Sequence, residues 1–139
     1  MGSYEILDHT ADIALKIIGD NIEDFFRQAF EGFLAVTELD SAQVKGAARR
    51  YKFIIKGNDE EDLLVGFINE LIRMLQEMET APLKIEDLTV RDGQVSCLMN
   101  VARVDKYPDG YVEMKSATYH MLDIANQDGK LVASLIIDI

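Results

Sequence analysis

The stretch from Asp8 to Asp12, with the sequence DHTAD, combines carboxylate and imidazole side chains near the N-terminus. It places two carboxylates and one imidazole within five residues, directly before an apolar run from Ile13 to Ile18. Carboxylate oxygens are preferred ligands of hard cations such as Ca²⁺ and Mg²⁺. Imidazole is a common ligand of zinc. The stretch is therefore a candidate metal site at the start of a strand.

A second unusual carboxylate is Asp138, which interrupts the otherwise apolar segment from Leu131 to Ile139. A carboxylate inside an apolar strand is costly unless it is paired, hydrogen-bonded or bound to a cation. If Asp12 lies nearby, we expect three anionic groups to converge, because Ile139 contributes its terminal carboxylate as well as its carbonyl region. We therefore expect Asp12, Asp138 and Ile139 to bind one divalent cation, Ca²⁺ or Mg²⁺. In the alternative interpretation, Asp138 is a solvated residue at a frayed strand end.

The two histidines, His9 and His120, offer a different metal chemistry. Together with Asp12 they could form a zinc hydrolase site. Their spacing matches no local motif such as His-Glu-x-x-His, and a structural role is the alternative for each. Lys115 could contact an anion or simply face solvent. No phosphate-binding loop, nucleophile elbow or calcium loop is found, so we expect no catalytic residues and no enzyme activity.

The first half of the chain contains two similar connections from a strand to a helix. The order glycine, cap, acidic pair, apolar pair starts at Gly19 and again at Gly57, which indicates a duplicated strand–helix–strand unit. The capping-box pattern predicts N-caps at Asp20 and Asn58. Apolar residues then recur at helical spacing in both copies.

From Pro82 onward the pattern predicts strands joined by turns. Asp-Gly pairs at 92–93 and 128–129 are hairpin signals, Pro108 to Gly110 is a further turn, and Tyr111 to Ala117 is predicted as a strand. The whole pattern predicts an α+β fold in one domain, residues 1–139. Two helices are expected to pack on a mixed or antiparallel sheet of about seven or eight strands.

Composition limits the classes of function. The net charge of −11 repels phosphate backbones, so we expect no direct, tight binding of nucleic acid. Arg49 and Arg50 resemble a phosphate clamp, but a solvated strand start is the simpler interpretation. The single cysteine, Cys97, excludes an internal disulfide and is expected to be buried. No segment is apolar enough for a membrane span and no signal peptide is seen, so a cytoplasmic location is expected.

Three segments, taken in order, resemble the archease family: Asp8 to Ile13, Lys115 to His120, and Asp138-Ile139. The resemblance covers essentially the whole chain. Archeases assist the RtcB-type RNA-splicing ligase, which joins RNA ends carrying a 2′,3′-cyclic phosphate or 3′-phosphate to a 5′-hydroxyl with GTP. The resemblance implies an accessory protein that promotes guanylylation and multiple turnover of that ligase, in tRNA splicing or RNA repair.

The resemblance also assigns roles to individual residues. It implies that Asp12, Asp138 and the backbone or terminus of Ile139 bind the divalent cation. Ser116 departs from the small apolar residue expected there. The residues implied as contacts for ligase activation are Asp8, His9, Lys115 and His120. Two alternatives stay open: a small metal-dependent hydrolase using His9, His120 and Asp12, and a chaperone-like adaptor for RNA-processing proteins with a purely structural metal.

Overall fold

The computed structural model describes residues 2–8 and 12–139, with only the main chain described at Asp8. Two α-helices, a short 3₁₀ helix at Ser41–Gln43 and eight strands make up this part of the chain. The helices are α1 (Ile22–Thr37) and α2 (Glu60–Met78). The strands are β1 (Ser3–Asp8), β2 (Asp12–Gly19), β3 (Val44–Lys56), β4 (Thr80–Arg91), β5 (Gln94–Val104), β6 (Ser116–Ala117), β7 (Ala125–Gln127) and β8 (Lys130–Asp138).

The eight strands form two sheets rather than the single sheet that was expected. A five-stranded sheet has the order β1-β2-β8-β6, and β7 also pairs with β8. A three-stranded sheet has the order β3-β5-β4, and every pairing in both sheets is antiparallel. Strand β3 pairs with β5 and not with a strand of the first sheet. The α+β class predicted from the sequence is confirmed.

One hydrophobic cluster joins both sheets and both helices. Helix α1 packs on β1, β2 and β4, and α2 packs on β3, β4 and β6. The ring of Phe67 links the two halves, because it lies 5.4 Å from the ring of Phe26 on α1 and 5.9 Å from that of Phe53 on β3. Neither helix has the length and apolar character needed to cross a membrane, within the residues described.

Each helix begins one residue later than predicted. The N-cap of α1 is Asn21 rather than Asp20, because the Asn21 side chain accepts a hydrogen bond from the N–H of Asp24 at 2.8 Å. The N–H of Asp20, the residue before the cap, donates to the Asp24 carboxylate at 2.8 Å. In α2 the cap is Asp59 rather than Asn58, with the same hydrogen bond three residues on. In both helices the carboxylate three residues after the cap accepts a hydrogen bond from the N–H of the residue before the cap, so the predicted capping box is not formed.

The glycine two residues before each cap explains why the two steps look alike. A Cβ atom at Gly19 would lie 2.4 Å from both the Cα and the N of Phe25. One at Gly57 would lie 2.7 Å from the Cβ of Asp62. Each glycine therefore lets the end of a strand approach the first turn of the following helix closely.

The hairpin predictions hold, but one predicted strand is wrong. Residues 92–93 and 128–129 all have positive φ and connect β4 to β5 and β7 to β8, as Asp-Gly turns do. Of the segment from Tyr111 to Ala117, only the last two residues form a strand, β6. The rest packs against α2 instead, with the carbonyl of Met114 accepting a hydrogen bond from the side chain of Gln76. That side-chain bond replaces a bond to a neighbouring strand.

Candidate functional site

Asp12 and Asp138 lie opposite each other on neighbouring strands. The antiparallel register of β2 and β8 pairs them directly, and that of β6 and β8 pairs Ser116 with Asp138. Directly opposed residues point to the same side of a sheet. The neighbours of the two aspartates, Ile13 and Ile137, are buried in the core, so both carboxylates lie on the opposite face. Asp138 is exposed and Asp12 is partly exposed.

This arrangement suits a hard cation. Side chains that oppose each other directly have Cβ atoms about 4.5–5.5 Å apart, and like charges there are destabilising. A divalent cation between the carboxylates would replace that repulsion with attraction and would find all-oxygen ligands. Ile139 follows Asp138 at once and can add main-chain oxygens. The residues present therefore fit the expected ligands Asp12, Asp138 and Ile139.

A larger ligand set is not seen in the part of the chain that the structure describes. There, no three or more His, Cys, Asp or Glu side chains come together as a metal site would require. Two carboxylates and main-chain oxygens leave a six- to eight-coordinate cation open to water or to a partner's oxygens. The side chain of Asp8 and all of His9, both predicted as contacts, lie outside what the structure describes.

Lys115 lies directly before β6 and is bonded to β8. Its N–H donates to the carbonyl of Asp138 at 2.8 Å, so its main chain lies directly beside that of Asp138, and its side chain is exposed. Further along the same pairing, the N–H and hydroxyl of Thr118 both donate to the carbonyl of Ile136, at 2.9 and 3.0 Å. These bonds fix the segment from 115 to 118 against β8 and place Lys115 at its Asp138 end.

Helix α2 holds this segment from its other side through Asn69, a residue that the sequence analysis did not identify. The Asn69 amide oxygen accepts a hydrogen bond from the N–H of Ala117 at 2.7 Å, and its amide nitrogen donates to the Ala117 carbonyl at 3.5 Å. The amide thus occupies the outer edge of β6 as a neighbouring strand would. An asparagine on the partly buried side of an amphipathic helix was the only signal in the sequence.

His120 is placed differently from the aspartate pair. From Ser116 to Thr118 the chain runs antiparallel to β8, away from Asp138, and His120 continues beyond it as an exposed residue. The next contacts of this segment are with the first turns of α2, where the Tyr119 hydroxyl donates to the carboxylate of Asp62. The structure therefore brings Lys115, but not His120, next to Asp138.

Comparison with known proteins shows the family. A model of the archease protein family matches residues 4–139. A protein archease from Methanosarcina mazei is 28% identical, with 98% of this chain and 95% of the relative aligned. A Drosophila melanogaster protein archease-like is 30% identical over 87% of this chain and 79% of its own length.

Solved structures share the fold. The crystal structure of an archease from Thermotoga maritima, described as a possible chaperone, superposes with a TM-score of 0.68 at 19% identity, covering 97% of this chain and 96% of that one. The solution structure of protein 1598 from Methanobacterium thermoautotrophicum gives a TM-score of 0.64 at 24% identity, covering 99% of each chain. Because the family model spans nearly the whole sequence, the chain belongs to the archease family.

Proposed function

We propose that this chain is an accessory protein of an RtcB-type RNA ligase, and that it promotes ligase guanylylation through a divalent cation held by Asp12, Asp138 and Ile139. The proposal is supported above all by one observation. The register of β2, β8 and β6 brings together the three segments that resemble the archease motifs, because Asp12 opposes Asp138 and Lys115 is bonded to Asp138.

The residues around the site suit such a role. The carboxylates of Asp12 and Asp138 lie on an outward face, where a partner can reach whatever they bind. A divalent cation bound there would neutralise phosphate charge during nucleotidyl transfer. Lys115 is bonded to Asp138 through its main chain, and its exposed side chain can contact a phosphate or a carboxylate of the ligase. None of these side chains needs to break or form a covalent bond, so the chain is proposed as a protein cofactor and not as an enzyme.

Overall charge supports docking on the ligase. The net charge of −11 is complementary to the basic mouth that an RNA-joining enzyme needs for its substrate. Complementary charge mainly raises the rate of association and is screened by salt. Stimulation of the ligase should therefore weaken as ionic strength rises.

The test is single-turnover guanylylation of the ligase with GTP and Mg²⁺. Wild-type chain should raise the rate, whereas Asp12→Asn and Asp138→Asn should remove most of the stimulation while the fold is retained. Asp128→Asn is the matched control, because it also removes one carboxylate but lies in the turn between β7 and β8 at φ 54°, which asparagine tolerates. Stimulation by both site variants at the wild-type level would reject the proposal.

A chaperone-like adaptor is the second candidate. It is supported by the description of the Thermotoga maritima structure as a possible chaperone and by exposed apolar side chains on the edge strand β1, Tyr4, Ile6 and Leu7. If this is the function, the wild-type chain and the Asp138→Asn variant should suppress aggregation of an RNA-processing protein equally well. A zinc hydrolase has less support, because the chain leads His120 away from Asp138.

A further inference from the structure

The charges of this acidic protein are segregated. The three strands β3, β4 and β5 hold eight of its 14 lysines and arginines but only two of its 25 aspartates and glutamates, Glu86 and Asp87. The eight basic residues are Lys45, Arg49, Arg50, Lys52, Lys56, Lys84, Arg91 and Arg103. The three-stranded sheet is therefore strongly basic, whereas the rest of the chain carries nearly all of the negative charge.

Five of these cations share the outward face of the sheet, which we call the basic face: Arg50, Lys52, Lys56, Lys84 and Arg91. The register places Arg50 and Lys84 on either side of Asn100, and Lys56 and Arg91 on either side of Gln94. The residues between them in sequence on β5, such as Val95 and Met99, are buried against the helices. All five cations are exposed.

The chemistry of the basic face favours phosphate over protein. Lysine is depleted at protein–protein interfaces, which need an apolar centre, whereas interfaces with nucleic acid are much more positively charged. Here the only strongly exposed large apolar side chain is Ile54, which is 49% exposed, and no aromatic ring lies on the face to stack on a base. Binding would therefore use the backbone of a nucleic acid and not its bases.

The dimensions favour a single strand. Three antiparallel strands give a strip about 10 Å wide, which accommodates one extended polynucleotide. Duplex RNA would fit this face less well, because its major groove is too deep and narrow for side chains to enter, whereas a flexible single strand can follow the face. Outward residues along a strand recur about every 6.8 Å. Lys52 and Lys56 are therefore two outward positions apart on β3, on one line with Ile54 between them. Arg50 is bonded to Glu86 through two hydrogen bonds of 3.0 and 3.1 Å, so it contributes less. The face also holds Asp87, across Leu98 from Lys52, so its five cations are partly offset by two acids.

We propose that the basic face binds single-stranded RNA through its phosphates, independently of sequence. The overall charge of −11 argues against tight binding, and the proposal is of weak, strongly salt-dependent binding confined to one face. It does not depend on the proposed role toward the ligase, because the basic face and the Asp12–Asp138 pair lie on different sheets.

The test is the fluorescence anisotropy of a labelled, unstructured 20-nucleotide RNA titrated with the full chain at several salt concentrations. If four cations contact phosphates, log K should fall with log salt with a slope of about −2.8, at about 0.7 per contact. Lys52→Gln/Lys56→Gln should weaken binding at least tenfold at 50 mM salt and make the slope shallower by about 1.4. Lys16→Gln/Lys106→Gln removes the same charge outside the three-stranded sheet and should change the affinity less than threefold.

Three outcomes would overturn the proposal. The first is the absence of binding at low salt, and the second is an equal loss of affinity in both double variants. The third is tighter binding of poly-glutamate than of RNA through Lys52 and Lys56, which would assign the face to an acidic protein segment. Because guanylylation of the ligase is not part of this assay, its result is separate from the test of the proposed function. Thermal melting of each variant checks that exposed substitutions leave the fold intact.

Discussion

Asp12 on β2 and Asp138 on β8 are direct partners across an antiparallel strand pair, although 126 positions separate them in the sequence. Their neighbours Ile13 and Ile137 form the adjacent pair and are buried in the core. The core contact fixes the register, because a slip by one residue would move every side chain to the other face. The position of the two carboxylates is therefore set by packing and does not require a bound ion.

The first prediction follows from the like charges of this pair. In EDTA, Asp138→Asn should raise the free energy of unfolding by up to about 1 kcal/mol, because it removes repulsion between directly opposed carboxylates. With Ca²⁺ at about 100 times its Kd, wild type should gain about 2.7 kcal/mol and the variant should gain almost nothing. Urea unfolding with and without Ca²⁺ measures both effects. Asp128→Asn should behave as wild type, and a variant that still gains as much from Ca²⁺ would show that Asp138 is not a ligand.

The second prediction concerns Asn69. Asn69→Ala should speed hydrogen exchange of the Ala117 N–H about tenfold, because that N–H loses its 2.7 Å acceptor. The Lys115 N–H, which donates to Asp138, should keep its protection. Asn69→Asp retains an acceptor oxygen and should restore most of the protection of Ala117. NMR-detected exchange measures each amide separately, and equal exchange of Ala117 in wild type and Asn69→Ala would contradict this role.

The third prediction uses the close approach at Gly19. Gly19→Ala should destabilise the protein by about 3 kcal/mol, because its Cβ would lie 2.4 Å from main-chain atoms of Phe25 that cannot move aside. The control is Gly110→Ala, whose Cβ would have the carboxylate of Glu38 as its nearest neighbour, at 2.5 Å. That flexible side chain can swing away, so the change should stay within about 0.5 kcal/mol. Similar losses in both variants, measured by urea unfolding, would argue against the packing explanation.

The fourth prediction concerns Cys97, which is completely buried on β5. Burial raises the pKa of its thiol to about 12. The native thiol should therefore not react with a disulfide reagent at pH 8, and modification should follow the fraction of unfolded protein. Rapid labelling of the native protein would contradict the buried position.

The raised pKa of the Cys97 thiol also makes the stability of the fold depend on pH. The thiol is protonated in both states below about pH 8.5, and above that it ionises only in the unfolded chain. Its contribution to stability is therefore complete below about pH 8.5 and is lost as the pH rises toward 12. Between these values wild type should lose stability more steeply than Cys97→Ala, which urea unfolding at several pH values can show. If stability falls with pH equally in wild type and Cys97→Ala, ionisation of the Cys97 thiol is not the cause.

The sequence allowed most elements to be predicted because hydrophobic periodicity and turn residues act locally. Alternation in β2 and β8, helical spacing in α1 and α2, and two Asp-Gly turns all correspond to the structure. The helix starts were missed by one residue because two adjacent side chains can each cap: Asp20 and Asn21 in α1, and Asn58 and Asp59 in α2. Only the geometry decides which of the two accepts the bond.

Features that depend on distant parts of the chain were not predictable in this way. The segment from Tyr111 alternates like a strand, but Tyr111 packs its ring 4.5 Å from that of Tyr107 and the segment bonds to α2. The division into two sheets depends on which strand edges are free, which is a property of the whole topology. The segregation of positive charge was not noticed, because the net charge of the chain does not show where the individual charges lie. Cation binding by Asp12, Asp138 and Ile139 stays a prediction.

The position of β8 between β2 and β6 has a consequence for biosynthesis. A ribosome releases residues in order, so β1, β2 and both helices emerge long before β8 can insert into the five-stranded sheet. Until then β2 has an open edge and Asp12 has no opposing carboxylate. A nascent or truncated chain that stops short of residue 138 can therefore bury much of its apolar surface without presenting the carboxylate pair, which ties that pair to the synthesis of β8.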